Sequence, residues 1–414
     1  MGTFTVTIKQ LTQIWTGGTG DANRTCTPLR ETGIIGSLRW WYEALIRGLG
    51  GTACDPTNTK CEEKNHCDAC KLFGCTGWAR KFRFEINALV NSYAPFVIVK
   101  PPNSKKPNFL GYYDNSGINY KNNGGLLGEY ELKFVTENNK EDLIKLLLLL
   151  STKWGFGSGI PKGFGIAHIN DEIKFDDVNL FLHQNDSYKK DYKYLPSINE
   201  FFFYRIPFKN EMILKIKETV NGSFYKTMND SEKNQALQLP NNRYIPTSPW
   251  IRYSIRELFR KDNSLRHFMM GFVGENNPKP IHIDCLSHSI VEERNNQNKY
   301  YCLSCKHGQI DKNSILEKTG SKIFVSHIYN KNIFSNSNEP EWEMKLWGWV
   351  PNFPNKSGID RDNIKRLLKD YIEKPSFWQN TFGIQNNPVI IENIWKIWDI
   401  DPRILIKSES EIYE

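Results

Sequence analysis

Apolar and polar positions alternate from the start of the chain. Phe4, Val6 and Ile8 fall between Thr3, Thr5 and Thr7. A period of two predicts a strand with one buried face. The period then lengthens. Ile34, Leu38, Trp41 and Leu45 recur at i, i+4, i+7 and i+11, which predicts a helix over about 34–49, ended by Gly48, Gly50 and Gly51. Period two returns at Phe82, Phe84 and Ile86, and again at Leu132 and Phe134. Leucines all round the segment 140–152 predict a fully buried helix. The order strand, helix, strands, helix, strand is compatible with a ferredoxin-like βαββαβ unit.

A polar stretch, 184–200, reads as a boundary, and a second unit begins near Phe201. Pro249 leads a helix to about Lys261 with Ile251, Ile255, Leu258 and Phe259 inward. Strands are predicted at 322–329 and 343–350. A helix from Asp362 turns Ile364, Leu367, Leu368 and Tyr371 inward. Residues 100–128, rich in Pro, Asn, Gly and Lys, read as an exposed loop. The expected organisation is a first domain over 1–190 with a Cys-rich insertion at 52–76. A second follows over 200–414 with a Cys/His insertion at 276–316. No internal repeat stands out.

A chain of 414 residues is longer than one core usually serves, and 39% apolar with 13% aromatic residues excludes a disordered composition. The formal charge of +8 leans toward a polyanionic partner; a soluble protein with a small basic excess is the plain alternative. The start of the chain reads as a strand rather than a signal peptide. The greasiest run, Leu143–Leu150, contains Lys145 and is far short of the ~20 residues a membrane span needs. The expected location is the cytoplasm, where thiols stay reduced and clustered cysteines point to metal.

Two such clusters exist. Cys54, Cys61, Cys67, Cys70 and Cys75 lie close together with His66, and Cys67-Asp-Ala-Cys70 has the spacing that lets two thiolates grip one ion. The second is Cys285-x2-His288 followed by Cys302-x2-Cys305, chosen over His282 and His307 on spacing alone. Cys54, Cys61, Cys67 and Cys70, and Cys285, His288, Cys302 and Cys305, are the expected ligands of one or two structural zinc ions. Free thiols, disulfides, or one ion shared between the two CxxC pairs are the alternatives.

Several blocks resemble the RAMP superfamily of RNA-binding CRISPR subunits. Gly36–Trp41 (GSLRWW) opens the first helix, Leu72–Gly77 (LFGCTG) feeds the strand after Arg80, and glycine loops fall at Gly155–Gly159 and Lys162–Gly165. Trp250–Arg260, Gly320–Tyr329 and Trp342–Pro351 are similar to later blocks of the subunit that caps one end of type III-B (Cmr) effectors. The resemblance implies an α+β protein of two ferredoxin-like (RRM-like) lobes. It implies a place near the 3′ part of the guide RNA, contacts with target RNA and other Cmr subunits, and no nuclease role.

RNA recognition needs cations for phosphates and flat groups for bases. The first helix and its loop supply Arg24, Arg30, Arg39, Trp40 and Arg47. Trp78, Arg80, Lys81 and Arg83 form a second group, Lys162 stands in the late glycine loop, and Arg252, Arg256 and Arg260 recur at i, i+4 and i+8. The competing reading is a solvated basic face, with Trp41 in the core. The glycine loops are either tight turns or places where the backbone meets RNA; neither is a Walker A loop. Asp21 sits where a cutting RAMP subunit carries its aspartate, but Asp is also an ordinary turn residue. His168, His183 and His327 have no partner visible in sequence. The leading expectation is a non-catalytic RNA-binding subunit. The rivals are an RNA endonuclease of the same superfamily and a zinc-stabilised protein adaptor.

Overall fold

A computed structural model of the protein describes residues 1–16, 26, 28–55, 61, 66–94, 97–101, 104, 108–110, 124–178, 180, 182, 194–221, 243–273, 280–292, 300–305, 307–310, 314–316, 318–335, 337, 339–354, 357–384, 393–407 and 410–413. The first half contains β1 (Gly2–Gln10), α1 (Glu31–Gly48), α2 (Asp68–Phe73), β2 (Phe82–Val90), β3 (Glu129–Thr136), α3 (Glu141–Trp154) and β4 (Ala167–Ile169). Its sheet runs β2-β3-β1-β4, every neighbour antiparallel. The register sets Phe4 opposite Phe134, Val6 opposite Leu132 and Ile8 opposite Tyr130. All six therefore point to one face, which α1 and α3 cover. The other face is polar: Thr3, Thr5, Glu85 and Lys133 are exposed, with Lys9 paired to Glu129 and Lys133 to Glu85.

The second half contains β5 (Phe201–Phe208), α4 (Asn210–Asn221), α5 (Ser248–Leu258), α6 (Asn263–Met270), β6 (Ile323–Val325), β7 (Ile328–Asn330), β8 (Trp342–Trp349), α7 (Arg361–Ile372), α8 (Pro375–Phe382) and β9 (Trp395–Trp398). The sheet runs β9-β5-β8, and β8 pairs with both β6 and β7. A two-residue strand, Tyr244–Ile245, adds to the edge of β7. With β6 and β7 counted as one bent strand, both sheets follow the same path from strand to strand. The architecture is α+β with antiparallel sheets.

The two sheets share a layer of helices. In β5, Phe201 and Phe203 face the first core, while Phe202, Tyr204, Ile206 and Phe208 face the second. Trp347 and Trp349 of β8 likewise turn to the first core, and Met344 and Leu346 to the second. The layers are thus first sheet, α1 with α3, second sheet, then the second half's own helices. A strand buried on both faces must be apolar throughout, which explains the run FFFY at 201–204. Trp41 lies 5.9 Å from Phe201 and 6.4 Å from Phe203 between ring centroids. The chain end returns to this core as well: Leu405, Ile412 and Tyr413 are buried in it, and Trp154 Nε1–H donates to Ile412 O at 3.1 Å.

The late glycine loop forms the joint between the halves. Gly163 has φ +95°, and a Cβ there would lie 2.6 Å from Ser248 Cβ and 2.7 Å from His327 Cε1. Only glycine permits both the conformation and that approach. Arg243 adds a second tie, its Nη1–H donating to Gln10 O and Leu127 O across the boundary. Two expectations need correction. Tyr371 is 41% exposed, and Ile372 takes the inward position with Ile364 and Leu368. The helices α2, α4, α6 and α8 were not foreseen; two of the four span 8 residues and α2 only 6, too short to declare a period.

Candidate metal centres and cationic surface

Cys54 and Cys61 come from the loop after α1, and Cys67 and Cys70 from the start of α2. Their four sulfurs lie within 4.8 Å of one another. Cys67 is the N-cap of α2: its Sγ accepts the Cys70 N–H at 3.4 Å, and the Cys54 N–H donates to the same sulfur at 3.4 Å. Asp68 braces the loop by accepting from Thr52 N–H and Oγ1–H, each at 2.9 Å. Cys54 Sγ and Cys70 Sγ are 3.6 Å apart. That is far beyond a disulfide's ~2.05 Å. It is close to the edge of about 3.8 Å of a tetrahedron of thiolates ~2.3 Å from one ion. Neighbouring thiols push Cys54 up to about 12 and push Cys70 up as well, so a central cation is what lets them ionise together. Cys75 stands outside the group, its N–H donating to Trp78 O at 3.0 Å.

The second group is His282, Cys285, Cys302 and Cys305, again within 4.8 Å. Cys285 Sγ lies 3.5 Å from Cys302 Sγ, and His282 Nδ1 lies 3.3 Å from Cys285 Sγ and 3.5 Å from Cys305 Sγ. The other ring nitrogen faces Asp284 Oδ2 at 3.8 Å, the kind of carboxylate that orients a ligating imidazole. This corrects the choice of His288. Spacing cannot separate His282-x2-Cys285 from Cys285-x2-His288; the turn at 283–286 folds His282 back instead. His288 contacts His267, Nε2 to Nδ1, at 2.9 Å. The side chain of His307 lies outside the described residues. Both groups can hold a metal ion. Each supplies four buried or half-buried soft donors and no further place for a substrate.

The expected RNA ligands divide sharply. Arg252 is turned inward: its guanidinium donates to Ile323 O at 2.6 Å, Ser321 Oγ at 3.1 Å and Met270 O at 3.3 Å. Burial lowers its pKa to about 10. Arg47 is 8% exposed and is spent on Pro196 O at 3.1 Å and Glu43 at 3.4 Å. Trp40 packs between the halves, with ring centroids 6.0 Å from Trp349 and 6.1 Å from Phe324. Arg39 pairs with Glu43 at 2.8 Å and donates to Gly74 O and Cys70 Sγ. These four hold the fold, so the expectation that they meet RNA is corrected for Arg252, Arg47 and Trp40, and Arg39 belongs to the first cysteine group.

What remains outward is a patch beside that group. Trp78 is 37% exposed, its Nε1–H fixed on Lys71 O at 3.3 Å. Its ring lies 4.5 Å from that of His66, and Lys81 Nζ stands 4.9 Å from its centroid. Arg80 is exposed alongside. Lys162, Arg256 and Arg260 are exposed elsewhere, Arg260 paired with Glu257 at 3.2 Å. Arg30 is half-buried, its N–H donating to Thr16 Oγ1 at 2.9 Å. Arg24, Asp21 and His183 lie outside the described residues. His327 is core, stacked on Tyr244 at 5.0 Å, and His168 is half-buried near Phe334.

Residues 7–168 match the family model described as the RAMP superfamily. Over these residues the chain is similar to the RAMP superfamily. The matched stretch runs from within β1 to within β4 and includes α1, α2 and α3. No curated protein matches. Two solved structures align over most of the length. The chain is similar to Cmr1 from Pyrococcus furiosus (apo form) at 10% identity and a TM-score of 0.36, over 89% of this chain and 97% of that one. A chain of the type III-B Cmr-beta complex, bound to cognate target RNA and AMPPnP, aligns at 16% identity and a TM-score of 0.38, over 88% and 97%. No helix among the described residues is long and apolar enough to cross a membrane.

Proposed function

We propose that this chain is a non-catalytic RNA-binding subunit of a type III-B (Cmr) CRISPR effector in the cytoplasm. It would cap one end near the 3′ part of the guide RNA and help engage target RNA beside other Cmr subunits. The observation that carries RNA binding is the outward patch of Trp78, Arg80 and Lys81 on the stretch that matches the RAMP superfamily model. An exposed indole beside two cations offers a base a flat surface and its phosphates a counter-charge. The type III-B assignment rests on the order of the sequence blocks Trp250–Arg260, Gly320–Tyr329 and Trp342–Pro351.

The halves read as two ferredoxin-like units, on the matching path of their sheets. Among the described residues the open face of the first sheet carries threonines and paired Lys–Glu side chains, with Phe334 lying over Lys9 and His168 at the β4 edge. RNA contact is therefore assigned to loops rather than to the sheet. Zinc is the metal of choice at both groups, because it favours sets of four thiolates and sets of three thiolates with one imidazole. Four protein ligands leave no open position, so the ions are structural.

The test is ultraviolet crosslinking of the full chain, within its assembled complex, to guide and target RNA. Crosslinks at Trp78 that weaken in the Trp78→Ala, Lys81→Ala variant are expected, with no cleavage of RNA by the isolated chain. An assembled complex in which this chain contacts no RNA defeats the reading.

A further inference from the structure

Helices α5 and α6 meet through a tight turn, and the segment 280–292 lies against α6. Together they gather four basic side chains from three elements: Arg256, Arg266, His267 and His288. The geometry among them is directional. His288 Nδ1 stands 3.3 Å from Pro280 O, a carbonyl that can only accept. Nδ1 therefore carries the proton, and His288 Nε2 is left to accept from His267 Nδ1–H at 2.9 Å. His267 Nε2 is then an acceptor, and Arg266 Nη2 lies 3.5 Å from it. A relay of donors thus runs from Arg266 to the backbone of the segment that also bears His282 and Cys285. It fixes one edge of the Arg266 guanidinium.

Arg266 Nε is buried and has no hydrogen-bond partner among the described residues. Loss of water and then the nearby Arg266 charge both lower the pKa of Arg256. The acid that offsets this among the described residues, Glu257, is already engaged by Arg260 at 3.2 Å. Several other surface cations are paired: Arg361 and Lys365 both meet Asp399, and Arg403 meets Asp401 at 2.9 Å. Two guanidiniums that repel each other, one with a buried donor left over, are stabilised by an anion that takes several N–H donors at once. Phosphoryl oxygens do so in a way a single carboxylate matches less well.

We propose that Arg256 and Arg266 form a binding site for a phosphodiester of single-stranded RNA, with His267 and His288 as positioning residues that hold Arg266. The site deepens the RNA-binding reading by giving the second half its own contact, separate from the Trp78 patch. It also ties that contact to the second metal group, because the relay ends on Pro280, two residues before His282.

The full-length, metal-loaded chain is titrated with a labelled single-stranded RNA over a range of salt, and separately with inorganic phosphate in a thermal-shift assay. Arg256→Ala and Arg266→Ala should each weaken RNA binding and lower the slope of log K against log salt by about one. Phosphate should raise the melting temperature of the parent chain and fail to do so in the double variant. Arg403→Ala, a charge-matched change at an exposed ion pair, should behave as the parent. His288→Ala should weaken binding yet keep the slope, since both cations remain. Arg256 is exposed, so its variant reports even if Arg266→Ala folds poorly. Slopes and phosphate protection unchanged in the arginine variants overturn the site, whatever the RNA affinity. A parent chain that binds no RNA but is protected by phosphate through these arginines overturns the RNA assignment and leaves a site for a free phosphate group.

Discussion

Arg39 Nη2–H donates to the Cys70 thiol at 3.3 Å. The same guanidinium reaches Gly74 O at 3.0 Å and Glu43 at 2.8 Å. Glu43 also holds Arg47, whose Nη1–H donates to Pro196 O at 3.1 Å. A polar chain therefore runs from the first cysteine group, along α1, to the segment that enters β5. Burial is the largest single influence on the Arg39 pKa and lowers it, but the hydrogen bond and charge of Glu43, with Cys70, together outweigh it and raise the pKa. A cation beside a thiolate group raises the group's hold on its metal.

Arg39→Ala should accordingly act on metal retention rather than on RNA. Loss of an outer-shell partner typically costs about 10–100-fold in metal affinity. Competition with a chromophoric chelator measures this directly. One ion should be released at lower chelator concentration in the variant, and the RNA salt slope should match that of the parent. A lowered slope with unchanged metal retention would return Arg39 to the RNA-binding surface.

The two four-ligand groups predict two zinc ions per chain by elemental analysis. His282→Ala should reduce this to about one, because three soft donors hold the ion less tightly than four. His288→Ala should leave two. The pair of variants separates the ligand that the structure selects from the one that spacing suggested.

Trp41 is 1% exposed and sits where α1 meets β5. Trp41→Ala should destabilise the chain by about 3–5 kcal/mol, the usual cost of deleting a buried tryptophan. Because Phe201, Phe203, Trp347 and Trp349 belong to the same core, both halves should lose stability in a single urea transition, followed by far-ultraviolet circular dichroism. Two separate transitions would show that the shared layer contributes little.

Local periods made much of the first half legible. The alternation at Phe4–Ile8 and the stripe through Ile34, Leu38, Trp41 and Leu45 each survive as a buried face. The shared layer was not legible, because a run such as FFFY reports burial on both sides without saying what lies there. Charge patterning misled for the same reason. Arg252 and Arg256 stand one helical turn apart, yet one is sealed against Ile323 O and the other faces outward. Long side chains choose their partners in three dimensions, so i, i+4 spacing alone cannot divide structural arginines from binding ones. The metal groups were legible as to region and as to CxxC pairs. The fourth ligand of the second group depended on which way a turn closes.

Lys322 is 2% exposed, and burial lowers its pKa to about 7. Its nitrogen donates to Phe268 O at 3.0 Å and to Thr319 Oγ1 at 3.1 Å, two acceptors for the two N–H bonds of a neutral amine. In the unfolded chain the same group titrates near 10.5. Between these values the unfolded state binds a proton that the native state does not, so stability rises with pH across this window. The contribution is full above about pH 10.5 and is lost as pH falls toward 7. The largest slope one such group can give is about 1.4 kcal/mol per pH unit. Lys322→Met keeps the length and apolar bulk of the stem but removes the proton. Urea midpoints at pH 7.5 and 9.5 should rise for the parent and rise less for the variant. Equal increments in the two proteins would mean that Lys322 stays charged in its buried place, held by the Phe268 ring 3.8 Å away.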